Sequence, residues 1–128
     1  MAHSNAKILV VDDDPAISGL ISTILGKDGH EVTIARCGAE AIQVASELHP
    51  HLILMDISMP DMDGYEATAQ IKGKPDLKQT PVIFLTGRSA AEDGGRAFNA
   101  GGLTFMRKPF TAQQLRDLVS LAIQSLGV

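Results

Sequence analysis

With 128 residues, 45% of them hydrophobic, the chain suits one domain that buries roughly two thirds of the surface its unfolded form exposes. A net charge of -4 without a Lys/Arg cluster argues against a nucleic-acid surface, and the lone Cys37 excludes an internal disulfide and leaves a zinc site without a second thiol. Residues 1–6 carry neither a basic segment nor a long apolar run, so they are expected to fray ahead of a cytoplasmic domain at 7–128, with no membrane segment.

The run Lys7-Ile-Leu-Val-Val11 reads as a strand buried on both faces and is followed at once by Asp12, Asp13, Asp14 and Pro15. Asp14 before Pro15 suits an N-cap with proline at the first helical position, which leaves Asp12 and Asp13 unexplained. Behind them Ile17, Leu20, Ile21, Ile24 and Leu25 fall on one face of a 3.6-residue period, with a stop near Gly29. Glu31 to Ala35 is short and β-branched, a strand nearer the sheet edge. Gly38 opens a helix through Ala41, Ile42, Ala45 and Leu48, closed by His49-Pro50. His49 and His51 have no third ligand nearby and are expected to be solvated loop residues.

Leu52 to Met55 are too few apolar residues for a membrane span and lack helical spacing, so they predict a central strand, ending on Asp56. Met59-Pro60 and Asp63-Gly64 force a loop after it, which puts Asp56 at the carboxyl end of a strand, where open α/β sheets place their ligand sites. A short helix from Gly64 with Tyr65, Thr68 and Ile71 runs into Gly73 and Pro75, and a polar loop follows to Thr80. Pro81 to Leu85 is the fourth strand, ending in Thr86-Gly87. Residues Ser89 to Asn99 pattern as a helix, but Gly94-Gly95 weakens it by about 2 kcal/mol, so this element is expected to be the most mobile. Leu103 to Arg107 forms a fifth strand ending in Lys108-Pro109. Thr111 then caps a last helix with Leu115, Leu118, Val119, Ala122 and Leu126, whose apolar face Leu121 and Ile123 widen toward a partner.

Five strands alternating with five helices specify an α/β fold, a single doubly wound domain with a five-stranded parallel sheet and helices on both sides. All strands of such a sheet end on one edge, so Asp12, Asp13, Asp56, Thr86 and Lys108 become neighbours. Three gathered carboxylates raise each other's pKa and repel, and a divalent cation removes the conflict. An oxygen-only set points to magnesium rather than zinc.

Ile8-Leu-Val-Val-Asp-Asp-Asp-Pro15, Leu54-Met-Asp-Ile-Ser-Met-Pro-Asp-Met-Asp-Gly64, Leu85-Thr-Gly87 and Lys108-Pro-Phe110 together resemble the response-regulator receiver domain of two-component signalling, over essentially the whole chain. The resemblance implies a flavodoxin-like strand order 2-1-3-4-5 and a signalling domain that catalyses only its own phosphorylation and dephosphorylation. It implies Asp56 as phosphoacceptor, magnesium on Asp13, Asp56 and the Ser58 carbonyl, and Asp12 acting on the metal through water. Lys108 and Thr86 would serve the phosphoryl oxygens, and Lys108-Pro109 would be cis. The implied donor is a phosphohistidine on a histidine kinase or phosphotransfer protein, and the implied reader is a downstream target or output domain. Self-association through the last helix is a further expectation.

The chain departs from the family pattern at Phe105, which occupies a switch position often held by Tyr and lacks the hydroxyl that would hold it outside. Its inward state is therefore expected to be populated before phosphorylation. Ser58 and Arg88 lie where the family tunes loss of the phosphoryl group. A calcium loop beginning at Asp61 fails because Lys72 stands where the bidentate Glu belongs. A phosphatase, a flavin carrier and a phosphorylation-independent binding module of the same fold remain the alternatives. The sequence suits either a stand-alone regulator or a receiver from a longer protein.

Overall fold

The computed structural model describes residues 6–87 and 101–126. Strands β1 (Lys7–Val11), β2 (Glu31–Ala35), β3 (Leu52–Asp56), β4 (Val82–Thr86) and β5 (Thr104–Arg107) pair in parallel in the order β2-β1-β3-β4-β5. Between and after them run α1 (Pro15–Lys27), α2 (Gly38–Leu48), α3 (Gly64–Lys72), a 3-10 turn at Pro75–Leu77, and a last helix, α4 (Ala112–Leu126). The helix expected over 89–99, its glycine pair and Arg88 lie outside the described residues, as do residues 1–5. Ala6, assigned to the frayed start, is instead fully buried and accepts the Glu31 N–H at 2.9 Å.

Strand alternation splits the core into two layers, because neighbouring side chains of an extended chain point to opposite faces. Ile8, Val10, Leu52, Leu54, Ile83 and Leu85 pack with Ile21, Leu25, Leu115 and Val119 under α1 and α4. Leu9, Val11, Ile53, Met55, Val82 and Phe84 pack with Ala41, Ala45, Ala67 and Ile71 under α2 and α3. Every residue of β3 and β4 is buried, as their unbroken apolar runs required. Among the described residues no helix is long and apolar enough to cross a membrane.

Local chemistry sets the element ends. Asp14 caps α1 by accepting the Ala16 N–H at 2.9 Å, with Pro15 opening the helix. Thr111 and Gln114 cap α4 reciprocally, the Thr111 hydroxyl accepting the Gln114 N–H at 3.0 Å and the Gln114 side chain the Thr111 N–H at 2.9 Å. His49 closes α2 in the left-handed region, at φ 52°.

Three further expectations need correction. Leu20 is 49% exposed, since α1 meets the sheet along a stripe narrower than its apolar pattern. On α4 the two residues assigned to an outer face part company: Leu121 is 64% exposed, while Ile123 is 3% exposed and packs in the core. His51 is half-buried rather than solvated, its Nδ1 accepting the Lys7 N–H at 2.9 Å. His49 is exposed as expected, but its Nε2 lies 2.5 Å from the Asp76 carboxylate.

Candidate functional site

Strand register assembles the carboxyl edge. Val11 pairs with Met55, so Asp12 and Asp56 stand one step beyond that pair on adjacent strands. Across the sheet Thr86 pairs with Arg107, and the next residue, Lys108, donates its backbone N–H to the Thr86 carbonyl at 2.8 Å. The Lys108–Pro109 peptide is cis, in line with the resemblance.

The side chains then converge. Lys108 Nζ donates to Asp12 Oδ2 at 3.1 Å and to Asp56 Oδ1 at 3.3 Å, bridging the two carboxylates. Asp12 Oδ1 accepts the Asp14 N–H at 2.9 Å, and Asp56 Oδ1 also accepts the Ser58 N–H at 3.3 Å. Asp12, Asp56 and Thr86 are nearly closed to solvent, whereas Asp13 and Ser58 are exposed at the rim. Asp12, Asp13 and Asp56 each present a carboxylate oxygen, and these oxygens lie within 4.8 Å of one another. Such an all-oxygen set is the chemistry that hard divalent cations take. The chain passes very close behind the site: a Cβ on Gly64 would lie 2.3 Å from the Asp56 carbonyl oxygen, so only glycine fits there.

Electrostatics make Asp56 the unusual member. Burial first, and then the negative charge of Asp12, push its carboxyl up to about 6 against the pull of Lys108. Burial works against the Lys108 ammonium, yet its bond to Asp12 and the charges of Asp56 and Asp12 hold its pKa above the ordinary value. The site thus keeps a lysine charged between two carboxylates, both nearly closed to solvent. Sequence reasoning placed Lys108 on incoming phosphoryl oxygens and gave no sign that it would bridge Asp12 and Asp56. It also missed the turn that ties Asp14 to Asp12, although Asp-x-Asp before a helix is a pattern suited to such a bond.

Phe105 is half-buried and packs against the core layer under α2 and α3, its ring centroid 5.9 Å from that of the fully buried Phe84.

The profile of the response regulator receiver domain matches residues 8–120. The chain belongs to that family. This receiver domain is 33% identical over 119 residues to protein PilG of Pseudomonas aeruginosa, covering 93% of this chain and 88% of PilG. Its fold is similar to that of chemotaxis protein CheY4 of Vibrio cholerae, with a TM-score of 0.89 at 29% identity, covering 93% of this chain and 99% of that one. It is also similar to the receiver domain of sensor histidine kinase PA1611 from Pseudomonas aeruginosa, described with a magnesium ion in its active-site cleft. That match has a TM-score of 0.86 at 30% identity, covering 94% of this chain and 99% of that one. The receiver domain spans about a quarter of the length of two further curated relatives, 27% and 25%. It is a signalling domain of the two-component phosphorelay type.

Proposed function

We propose that Asp56 accepts a phosphoryl group from a phosphohistidine on a histidine kinase or histidine phosphotransfer protein, in the cytoplasm, and that the phosphorylated domain presents an altered surface to a downstream target or output domain. The observation that carries this reading is the Lys108 bridge between two nearly buried carboxylates at the strand ends. Asp56 Oδ1 is occupied by Lys108 and the Ser58 amide, while Oδ2 accepts no hydrogen bond among the described residues and is the oxygen left to attack phosphorus. As its P–O bond forms, the P–N bond to the donor imidazole breaks and the ring leaves with the electron pair.

Asp13, Asp56 and the Ser58 carbonyl hold magnesium in this reading, with Asp12 acting through water; the acidic set and the magnesium described in the PA1611 domain support it. When bound, the ion supplies neutralising charge for the nucleophile and the phosphoryl oxygens. Lys108, already within reach of Asp56, passes to one phosphoryl oxygen, and the Thr86 hydroxyl donates to another. The domain catalyses only its own phosphorylation and dephosphorylation. Phe105, the register partner of Phe84, follows the movement of Thr86 as the switch, and without a hydroxyl to hold it outside its inward state is populated before phosphorylation. Leu121, exposed beside Leu118, is the anchor for self-association through α4.

The test is mass spectrometry after treatment with a small phosphodonor and magnesium, for wild type and Asp56→Asn. A gain of one phosphoryl group in wild type only is expected. An equal gain in both would remove Asp56 from the role, and no gain in either would favour a phosphorylation-independent binding module.

A further inference from the structure

The loop between β3 and α3 is held at two places, and only one of them is local. At its base the Gly64 N–H donates to the Ile57 carbonyl at 2.9 Å, beside the Ser58 amide that reaches Asp56. At its outer turn Asp61 crosses to another element, Oδ1 accepting the Gly38 N–H and Oδ2 the Ala39 N–H, both at 2.9 Å. These amides belong to the first turn of α2, where helices leave donors without intrahelical partners. Cys37, the residue at the cap position, makes no side-chain cap bond, and Glu40 turns back to the Arg36 N–H at 2.7 Å. Asp61 therefore takes the place of a cap that the local sequence does not supply.

Packing tightens the join. A Cβ on Gly38 would lie 2.3 Å from Met62 Cγ, so the side chain next to Asp61 rests directly on the start of α2. The Gly38 bond first, and then the Ala39 bond, draw the Asp61 carboxyl below the usual range, so the anchor stays ionised at neutral pH.

We infer that Asp61 is a positioning residue for the acceptor site: by tying the β3–α3 loop to the start of α2 it fixes the stretch carrying Ser58, whose amide bonds Asp56 and whose carbonyl is assigned to magnesium. This rests on the function proposed above. Without the anchor the outer half of the loop keeps its base and the packing of Met62 on Gly38 but loses both hydrogen bonds to α2, and the carbonyl that should face the ion samples other directions. The loss falls on metal affinity rather than on the transfer once the metal is in place.

Calorimetric magnesium affinity, phosphorylation rate with a small phosphodonor, and amide exchange at Gly38, Ala39 and Ser58 test this in wild type, Asp61→Ala and Asp61→Asn. Asp61→Ala is expected to bind magnesium about tenfold more weakly, the scale of losing a group that orients a ligand. It should exchange those amides faster, react slowly at low magnesium, and recover the wild-type rate at saturating magnesium. Asp61→Asn, with one acceptor oxygen left, should fall between the two, and it decides on the same readouts should Asp61→Ala not fold. A merely structural cap would lower unfolding stability but leave the affinity of the folded protein unchanged, and that result overturns the inference. Wild-type protein that neither binds magnesium nor gains mass at Asp56 would instead overturn the proposed function, and this inference with it.

Discussion

At the amino edge of the sheet the strands open on exposed Lys7, Glu31 and Thr104, and the polar groups there are spent on one another. The Lys7 N–H donates to His51 Nδ1 at 2.9 Å, the His51 N–H returns to the Lys7 carbonyl at 2.8 Å, and the Glu31 N–H donates to Ala6. At the carboxyl edge the same strands run into Asp12, Asp56 and Thr86, all nearly buried, with one lysine set against two carboxylates. One edge closes its hydrogen bonds in reach of water. The other holds charge out of water, with one lysine against two carboxylates, and a further cation is what completes the balance. Within a single sheet, then, the edge that is electrostatically unfinished is the one poised for chemistry.

Removing Lys108, the cation that the described residues set between Asp12 and Asp56, should break this contrast most strongly. Lys108→Met leaves Asp12 and Asp56 facing each other and should cost about 3 kcal/mol of unfolding stability in chelator near neutral pH. Urea titration at several pH values checks it: the loss should shrink toward pH 5, because Asp56 takes up a proton below about 6 and no longer needs the partner. At the amino edge His51→Ala removes one half-buried acceptor and should cost about 1 kcal/mol. Its phosphorylation rate should match wild type, and a slowed rate would mean that the two edges are coupled.

Much of this was readable because burial on both faces imposes a continuous apolar run. Leu52 to Met55 and Ile8 to Val11 announced buried strands, and the carboxylate closing each placed Asp12 and Asp56 on one edge once the sheet was taken as parallel. Local caps were equally visible, since Asp14 and Thr111 complete their bonds within a few residues. What escaped was set by contacts far apart in the chain. Asp61 serves amides 22 and 23 residues away, and Lys108 meets Asp12 across 96 residues, with no local pattern to mark either pairing. Helix faces misled for a different reason. Periodicity gives the direction of an apolar stripe but not its width, so Leu20 was counted inside and Ile123 outside.

Asp56 holds a charge that its surroundings resist, burial and the neighbouring Asp12 outweighing the pull of Lys108. Its carboxyl is raised from 3.8 to about 6, so the fold favours the neutral form. The native state keeps a proton that the unfolded chain loses above about pH 4, so this group's contribution to stability falls as pH rises to about 6 and stays lost above it. Carboxyl-carbon NMR of Asp56 across pH, in chelator and then with magnesium, reads this directly. A midpoint near 6 in chelator that moves down when magnesium is added is expected. A midpoint already in the ordinary carboxylate range, unmoved by magnesium, would contradict it.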